Sequence, residues 1–308
     1  MDAVFLKLLN MSITASYVIL AILLVRLLLR KAPKKYSYLL WSAAAFRLCC
    51  PVSFSSVFSL FRLKFFDMTS AQQTGSAVLQ YIPEQASFMA QPEVTVGIPA
   101  ANAVIRSALP TAEQPSSINT LQTLVFLASC IWIIGVFALL MWAAVSYVRL
   151  RFKMDTAVLL EGDVYQSDQV RSPFILGFIR PKIYIPFGLD EGALRYVLAH
   201  ERCHLKRLDH LIRPFAFLLL TLHWFNPLCW LAFYLMVRDM EMSCDETVLS
   251  GEGDICADYS TVLLSFAANR RFPSPGPLAF GESGVKSRIK NALKWKRPKI
   301  WVTLLAAC

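Results

Sequence analysis

Charge is scarce in this chain: Asp, Glu, Lys and Arg make up 17% of 308 residues, while 56% are hydrophobic. That shortage excludes an ordinary soluble domain of this size and makes a bilayer the first expectation. Leu8 to Val25 and Ile118 to Val148 contain no charged residue, and Tyr36 to Phe61 contains only Arg47. Each is long enough to cross about 30 Å of hydrocarbon. The first stretch lacks the small-residue cleavage site of a signal peptide and is read as a retained span. Cysteine is absent from Leu63 to Ser117, and the eight present lie in spans, in the inner region or at the terminus, which excludes a disulfide framework. There is also no internal repeat and no extended low-complexity tract.

Lys and Arg set the expected topology, because they are retained on the cytoplasmic side of spans. The basic runs RLLLRKAPKK and RLRFKM, after the first and third spans, are both placed in the cytoplasm. The net charge of +10 could suit nucleic acid, but seven Lys or Arg fall between Lys286 and Lys299, beside an apolar end. Anionic lipid headgroups account for such clusters better, and no direct nucleic-acid binding is expected. The chain thus reads as an α-helical membrane protein. Residues 1–62 hold two transmembrane helices, 63–117 an extracytoplasmic loop, 118–148 a third transmembrane helix, 149–297 a cytoplasmic domain, and 298–308 the start of a truncated fourth helix. The bilayer is one partner, and a homodimer is compatible with this layout.

The cytoplasmic domain holds the dense titratable groups. It opens with two β-rich runs around Gly177, and Pro181 starts the second at a position that an edge strand tolerates. Asp190 then offers an N-cap to a helix whose Leu194, Val197, Leu198 and Leu205 recur at helical spacing. On that helix lies His200-Glu201-Arg202-Cys203-His204, a match to HExxH. Two imidazoles at i and i+4 stand one turn apart on one face and can share a zinc ion, while Glu201 beside them can act as catalytic base towards water attacking a peptide carbonyl. The chain has only four histidines, and two fall at this spacing around a Glu.

Two residues compete to be the third ligand. His210 stands where a metzincin would place a histidine, but Arg207 replaces the glycine at which that motif turns. Glu241 heads EMSCDE, with Asp245 one helical turn later, an arrangement that suits a ligating carboxylate and a second carboxylate orienting a histidine. Glu241 is favoured. Pro214 to Val237 contains no Asp, Glu, Lys or Arg and is long enough to span, yet one crossing would part Glu241 from His204. The segment 214–237 is therefore expected to be a re-entrant or interfacial helical hairpin broken at Asn226-Pro227, with His223 a structural residue within it.

The sequence resembles the membrane zinc proteases typified by the antirepressor signal transducers of β-lactam resistance, BlaR and MecR. The resemblance runs through RLCCPVSFSSVFSLF, SPFILGFIRPKIYIP, HERCH, HWFNPLCW, EMSCDE and FGESGVKSRIKNALKWKRP, which together extend over nearly the whole chain. It implies a mainly α, small-β, gluzincin-like zinc protease domain with His200, His204 and Glu241 as metal ligands, Glu201 as catalytic base and Asp245 beside the ligands. It also implies signalling by proteolysis: self-cleavage around Gly281 to Arg288, and inactivation of a cytoplasmic helix-turn-helix repressor. The sensors of that family continue into a penicillin-binding domain that this sequence does not contain, so the inducing signal is left open. A housekeeping membrane protease and a non-catalytic membrane sensor are the competing readings, and the intact Glu201 argues against the second. The strand near Lys182 to Ile185 is expected to be a sheet edge that receives an extended substrate.

Overall fold

A computed structural model describes residues 2–50, 120–251, 255–268 and 285–295. The expected loop 63–117, the second half of the second span and the segment 298–308 lie outside them. The chain divides into two compact units, one of Met1–Tyr17 with Phe46–Gly135 and the other of Val18–Ala45 with Val136–Cys308. Three of the described helices have residues in both. Helix α1 (Asp2–Leu28) and helix α3 (Thr120–Lys153) are long and apolar enough to cross a membrane. Exposed Ile131, Ile134, Phe137 and Met141 give α3 an apolar surface that water would not favour. Helix α3 outlasts its uncharged run and carries Arg151 and Lys153 in its last turn, where cations suit the helix dipole. In the first unit, Phe5 and Trp132 lie 6.1 Å apart and Ser129 donates to Asp2 at 2.9 Å.

The second unit contains helix α2 (Lys34–Cys49) as far as Ala45, a four-stranded sheet and five further α-helices among the described residues. The strands are β1 (Val158–Glu161), β2 (Val164–Gln166), β3 (Phe174–Leu176) and β4 (Lys182–Ile185), in the order β1-β2-β4-β3. Gly162, at φ 56°, makes the tight β1–β2 turn. Gly177, at φ 115°, makes the β3–β4 turn, where a Cβ would come within 2.7 Å of the Arg180 carbonyl oxygen.

The Lys182–Ile185 strand is not the sheet edge expected from its sequence: β4 pairs in parallel with β2 and antiparallel with β3. Pro181 precedes the strand, so its missing N–H does not interrupt either ladder. The edges are β1 and β3.

Val164, Ile183 and Ile185 project from the sheet onto Val197 of helix α4 (Glu191–Lys206). Asp190 caps α4 by accepting from the Ala193 N–H at 3.3 Å. The buried face of α4 carries Ala193, Val197, His200, Glu201, Cys203 and His204, so the face that packs is also the face that holds the motif. The helix ends at an unusual turn. Leu208, not a glycine, adopts φ 59° and ψ 28°, and helix α5 (Asp209–Leu222) starts at the next residue. The long apolar run then breaks at Asn226, whose side chain accepts from the Leu228 N–H at 2.9 Å while Pro227 opens helix α6 (Pro227–Gly251). Helix α6 packs against both α4 and α5. Helices α7 (Cys256–Ala268) and α8 (Val285–Leu293) complete this unit through a core of Val248, Leu249, Tyr259, Leu263 and Ala292. The first residues of α8 are the last four of the expected self-cleavage region; the rest of that region lies outside the described residues.

Candidate metal centre

Helical spacing on α4 turns two imidazoles towards each other: His200 Nε2 and His204 Nε2 are 3.1 Å apart. From α6, Glu241 Oε2 lies 3.5 Å from the first nitrogen and 3.9 Å from the second. His200 and His204 are buried and Glu241 nearly so, and their donor atoms all lie within 4.8 Å of one another. His210, the rival third ligand, does not join this cluster.

The far side of each ring is held by an acceptor. His204 Nδ1 is 2.8 Å from Asp209 Oδ2. His200 Nδ1 lies 3.1 Å from the Tyr259 hydroxyl and 3.3 Å from Asp245 Oδ1, and the hydroxyl itself donates to Asp245 at 2.6 Å. These contacts place a proton on each Nδ1 and leave each Nε2 lone pair facing inward. Two inward lone pairs and a carboxylate oxygen form a donor set for a cation.

A cation at this donor set must displace a proton, because the surrounding carboxylates favour the charged imidazole. Burial disfavours a charge on His200, yet its bonds to Asp245 and Glu241 outweigh this and raise its pKa to about 10. Burial likewise works against ionised Glu241 and Asp245, but the Arg288 guanidinium and His200 hold both carboxyls well below the ordinary range. Arg288, from α8, donates through Nε and Nη2 to Asp245 at 2.9 and 2.7 Å and reaches Glu241 at 3.1 Å. Its Nη2 also lies 3.3 Å from His200 Nε2. Glu201 is 7% exposed; burial pushes its carboxyl above the usual range, against the pull of both histidines. A cavity of about 600 Å³ opens onto this cluster, lined by Glu201, His200, His204, Glu241 and Arg288 together with edge strand β3.

The sequence thus singles out five residues that do stand together: His200, Glu201, His204, Glu241 and Asp245. Asp209, Tyr259 and Arg288 were missed. Asp209 is five residues after His204, off the motif's face on a continuous helix, and only the turn at Leu208 brings it back. Tyr259 and Arg288 come from α7 and α8, and no local spacing ties them to the motif. His223 is buried inside the α5–α6 connection, with Nδ1 3.0 Å from the Leu219 carbonyl oxygen.

Two histidines one turn apart on a helix, a carboxylate from a second helix and a buried glutamate lining the same cavity make a centre of metallopeptidase type. The chain belongs to the BlaR1 peptidase M56 family, whose pattern matches residues 6–292. Over 109 residues it is 38% identical to the regulatory protein BlaR1 of Bacillus licheniformis, a match that covers 33% of this chain and 18% of that protein. Over 87 residues it is 25% identical to the methicillin resistance mecR1 proteins of Staphylococcus aureus and Staphylococcus epidermidis, covering 27% of this chain and 15% of each. The chain therefore matches less than a fifth of the length of these curated relatives.

Proposed function

We propose that this chain is a membrane-embedded zinc metalloendopeptidase of the antirepressor signal-transducer type. The observation that carries the reading is the convergence of His200 Nε2, His204 Nε2 and Glu241 Oε2, at separations of 3.1, 3.5 and 3.9 Å, next to buried Glu201. Donors about 2.0–2.2 Å from a tetrahedral zinc stand about 3.3–3.6 Å apart, and a His, His, carboxylate set with one side open to a cleft is the donor chemistry of catalytic zinc. When bound, zinc would supply a Lewis acid for a carbonyl oxygen and acidify a water molecule.

The protein's own groups do the rest. Asp209 and the Asp245–Tyr259 pair fix the tautomers of the ligating rings. Glu201 takes the proton of the attacking water and returns it to the departing amine. Strand β3, an edge of the sheet that lines the same cavity, offers unpaired backbone groups to an extended peptide. The helices α1 and α3 hold the enzyme in the bilayer, with the expected span in 36–61 as a third crossing and the α5–α6 hairpin dipping into it. The substrates are the chain itself, in or near 281–288, and a cytoplasmic repressor, whose cleavage passes on the signal.

Replacing Glu201 with Gln tests this in the producing cell. Self-cleavage and repressor cleavage, followed by mass spectrometry of new termini, should fall by at least 100-fold while the purified variant keeps its zinc. Undiminished cleavage in Glu201→Gln would sink the assignment of the base. Persistent absence of a repressor fragment beside intact self-cleavage would leave a protease with a different target.

A further inference from the structure

The described part of α2 holds the ligand-bearing helices at several points. Its first backbone N–H, at Lys34, donates to Glu246 at 2.7 Å, and Trp41 Nε1 donates to Asp239 at 3.0 Å. Arg26, near the end of α1, closes a two-point ion pair on the same Asp239, with both bonds at 2.7 Å and the carboxylate fully buried. Asp239 and Glu246 bracket Glu241 and Asp245 on α6. Between these two anchors, the Tyr38 hydroxyl donates to Asp209 Oδ1 at 2.8 Å, and the other oxygen of that carboxylate is the one that holds His204 Nδ1. The tyrosine ring is itself seated, with the Arg207 guanidinium 4.5 Å from its centroid. A hydroxyl on α2 is thus two hydrogen bonds from a proposed metal ligand.

We propose that Tyr38 is a positioning residue of the metal centre: acting through Asp209, it sets the orientation of His204, so that a shift of α2 changes how tightly the centre holds its metal. The proposal rests on the reading of His200, His204 and Glu241 as zinc ligands. The physical case is that a carboxylate holding a ligating imidazole does so best when its second oxygen is also fixed; such outer partners typically carry 10–100-fold in metal affinity. Asp209 is 3% exposed, so water is a poor replacement for the tyrosine hydroxyl. Coupling of this kind is reciprocal, and metal binding should in turn tighten the seat of α2. The device gives the membrane-proximal elbow Arg26–Trp41 a direct line to the catalytic ligand, which a signal-transducing protease requires.

The test is zinc affinity of the full chain in detergent or nanodiscs, by competition with a chromogenic chelator, for the wild type, Tyr38→Phe, Asp209→Asn, the double variant and Trp41→Phe. Tyr38→Phe keeps the ring and its contact with Arg207, and should weaken zinc by about 3–10-fold; Asp209→Asn should weaken it by about 10–100-fold. Because both act along one route, the double variant should bind no worse than Asp209→Asn alone. Trp41→Phe removes an α2 bond that does not lead to His204, while Arg26 on Asp239 and Lys34 on Glu246 keep the helix seated, and should leave zinc affinity within about twofold. Equal affinity in Tyr38→Phe and the wild type overturns the proposal, as does a loss in Trp41→Phe as large as that in Tyr38→Phe, which would mean that only the seating of the helix matters. A wild-type chain that binds no zinc overturns the parent reading and this proposal with it, so the two failures are told apart.

Discussion

Arg288 is the residue whose position the sequence least announces and whose removal should be most informative. Its guanidinium meets two carboxylates, Asp245 with no exposed surface and Glu241 with its side chain 13% exposed, while reaching His200 Nε2 on the metal-facing side. Removing one partner of a buried ionic cluster leaves the other charge uncompensated, at a cost of about 3–5 kcal/mol. Zinc would supply part of the missing positive charge. Arg288→Ala should therefore unfold at a clearly lower temperature than the wild type in chelator, and gain more from added zinc than the wild type gains. Thermal unfolding with and without EDTA measures both, and an equal gain from zinc in the two chains would refute this charge balance. Glu241→Ala should lose zinc outright, whereas His210→Ala should keep it, since His210 stands outside the donor cluster; metal content by mass spectrometry decides the pair. Neither the Arg288 contact nor that of Tyr259 was readable beforehand. The motif residues are legible because helical periodicity alone brings i and i+4 together, whereas a guanidinium on α8 reaches the cluster only through the packing of α8 on α6 and α7.

Elements show the same division between local and tertiary causes. The start of α4 at Asp190 and the break at Asn226-Pro227 are matters of capping and of proline's missing N–H, so they can be read from a few residues. The place of Lys182–Ile185 inside the sheet depends on β2 arriving in parallel beside it, and nothing within the segment encodes that neighbour. The turn after α4 has a tertiary cause as well. Arg207, in place of the metzincin glycine, argues against His210 as a ligand, and the chain turns one residue later, by accepting a left-handed conformation at Leu208. That conformation costs a non-glycine residue about 1–2 kcal/mol, which the docking of Asp209 on His204 offsets. Leu208 is 53% exposed, so its side chain has little packing to lose. Leu208→Gly should raise stability by about 0.5–1 kcal/mol, and Leu208→Val, with a branched Cβ, should lower it by at least as much. Chemical or thermal unfolding of the purified variants gives the order, and Val above Gly would show that the turn is unstrained.

On the scale of the whole chain, the separate contacts of the elbow Arg26–Trp41 constrain topology. Asp239, Glu246 and Asp209 are all bound by groups of α1 or α2, and all three lie on helices that carry or orient the metal centre. The elbow and the catalytic core must therefore share one side of the bilayer. The elbow is also where the chain concentrates Arg26, Arg30, Lys31, Lys34 and Lys35, and such runs stay in the cytoplasm. On the proposed reading, the two together set the cleft on the cytoplasmic side, where cleavage of a repressor needs it. Exposed positions on either element report it: Lys35 on the elbow and Glu191 at the start of α4. With Lys35→Cys and Glu191→Cys, and the unsubstituted chain as the background for its own cysteines, an impermeant maleimide should label both positions in inverted vesicles and neither in intact cells. Labelling of Lys35→Cys and Glu191→Cys from opposite sides would break the link between elbow and core. Labelling of both from outside would preserve that link and place the protease away from any cytoplasmic repressor.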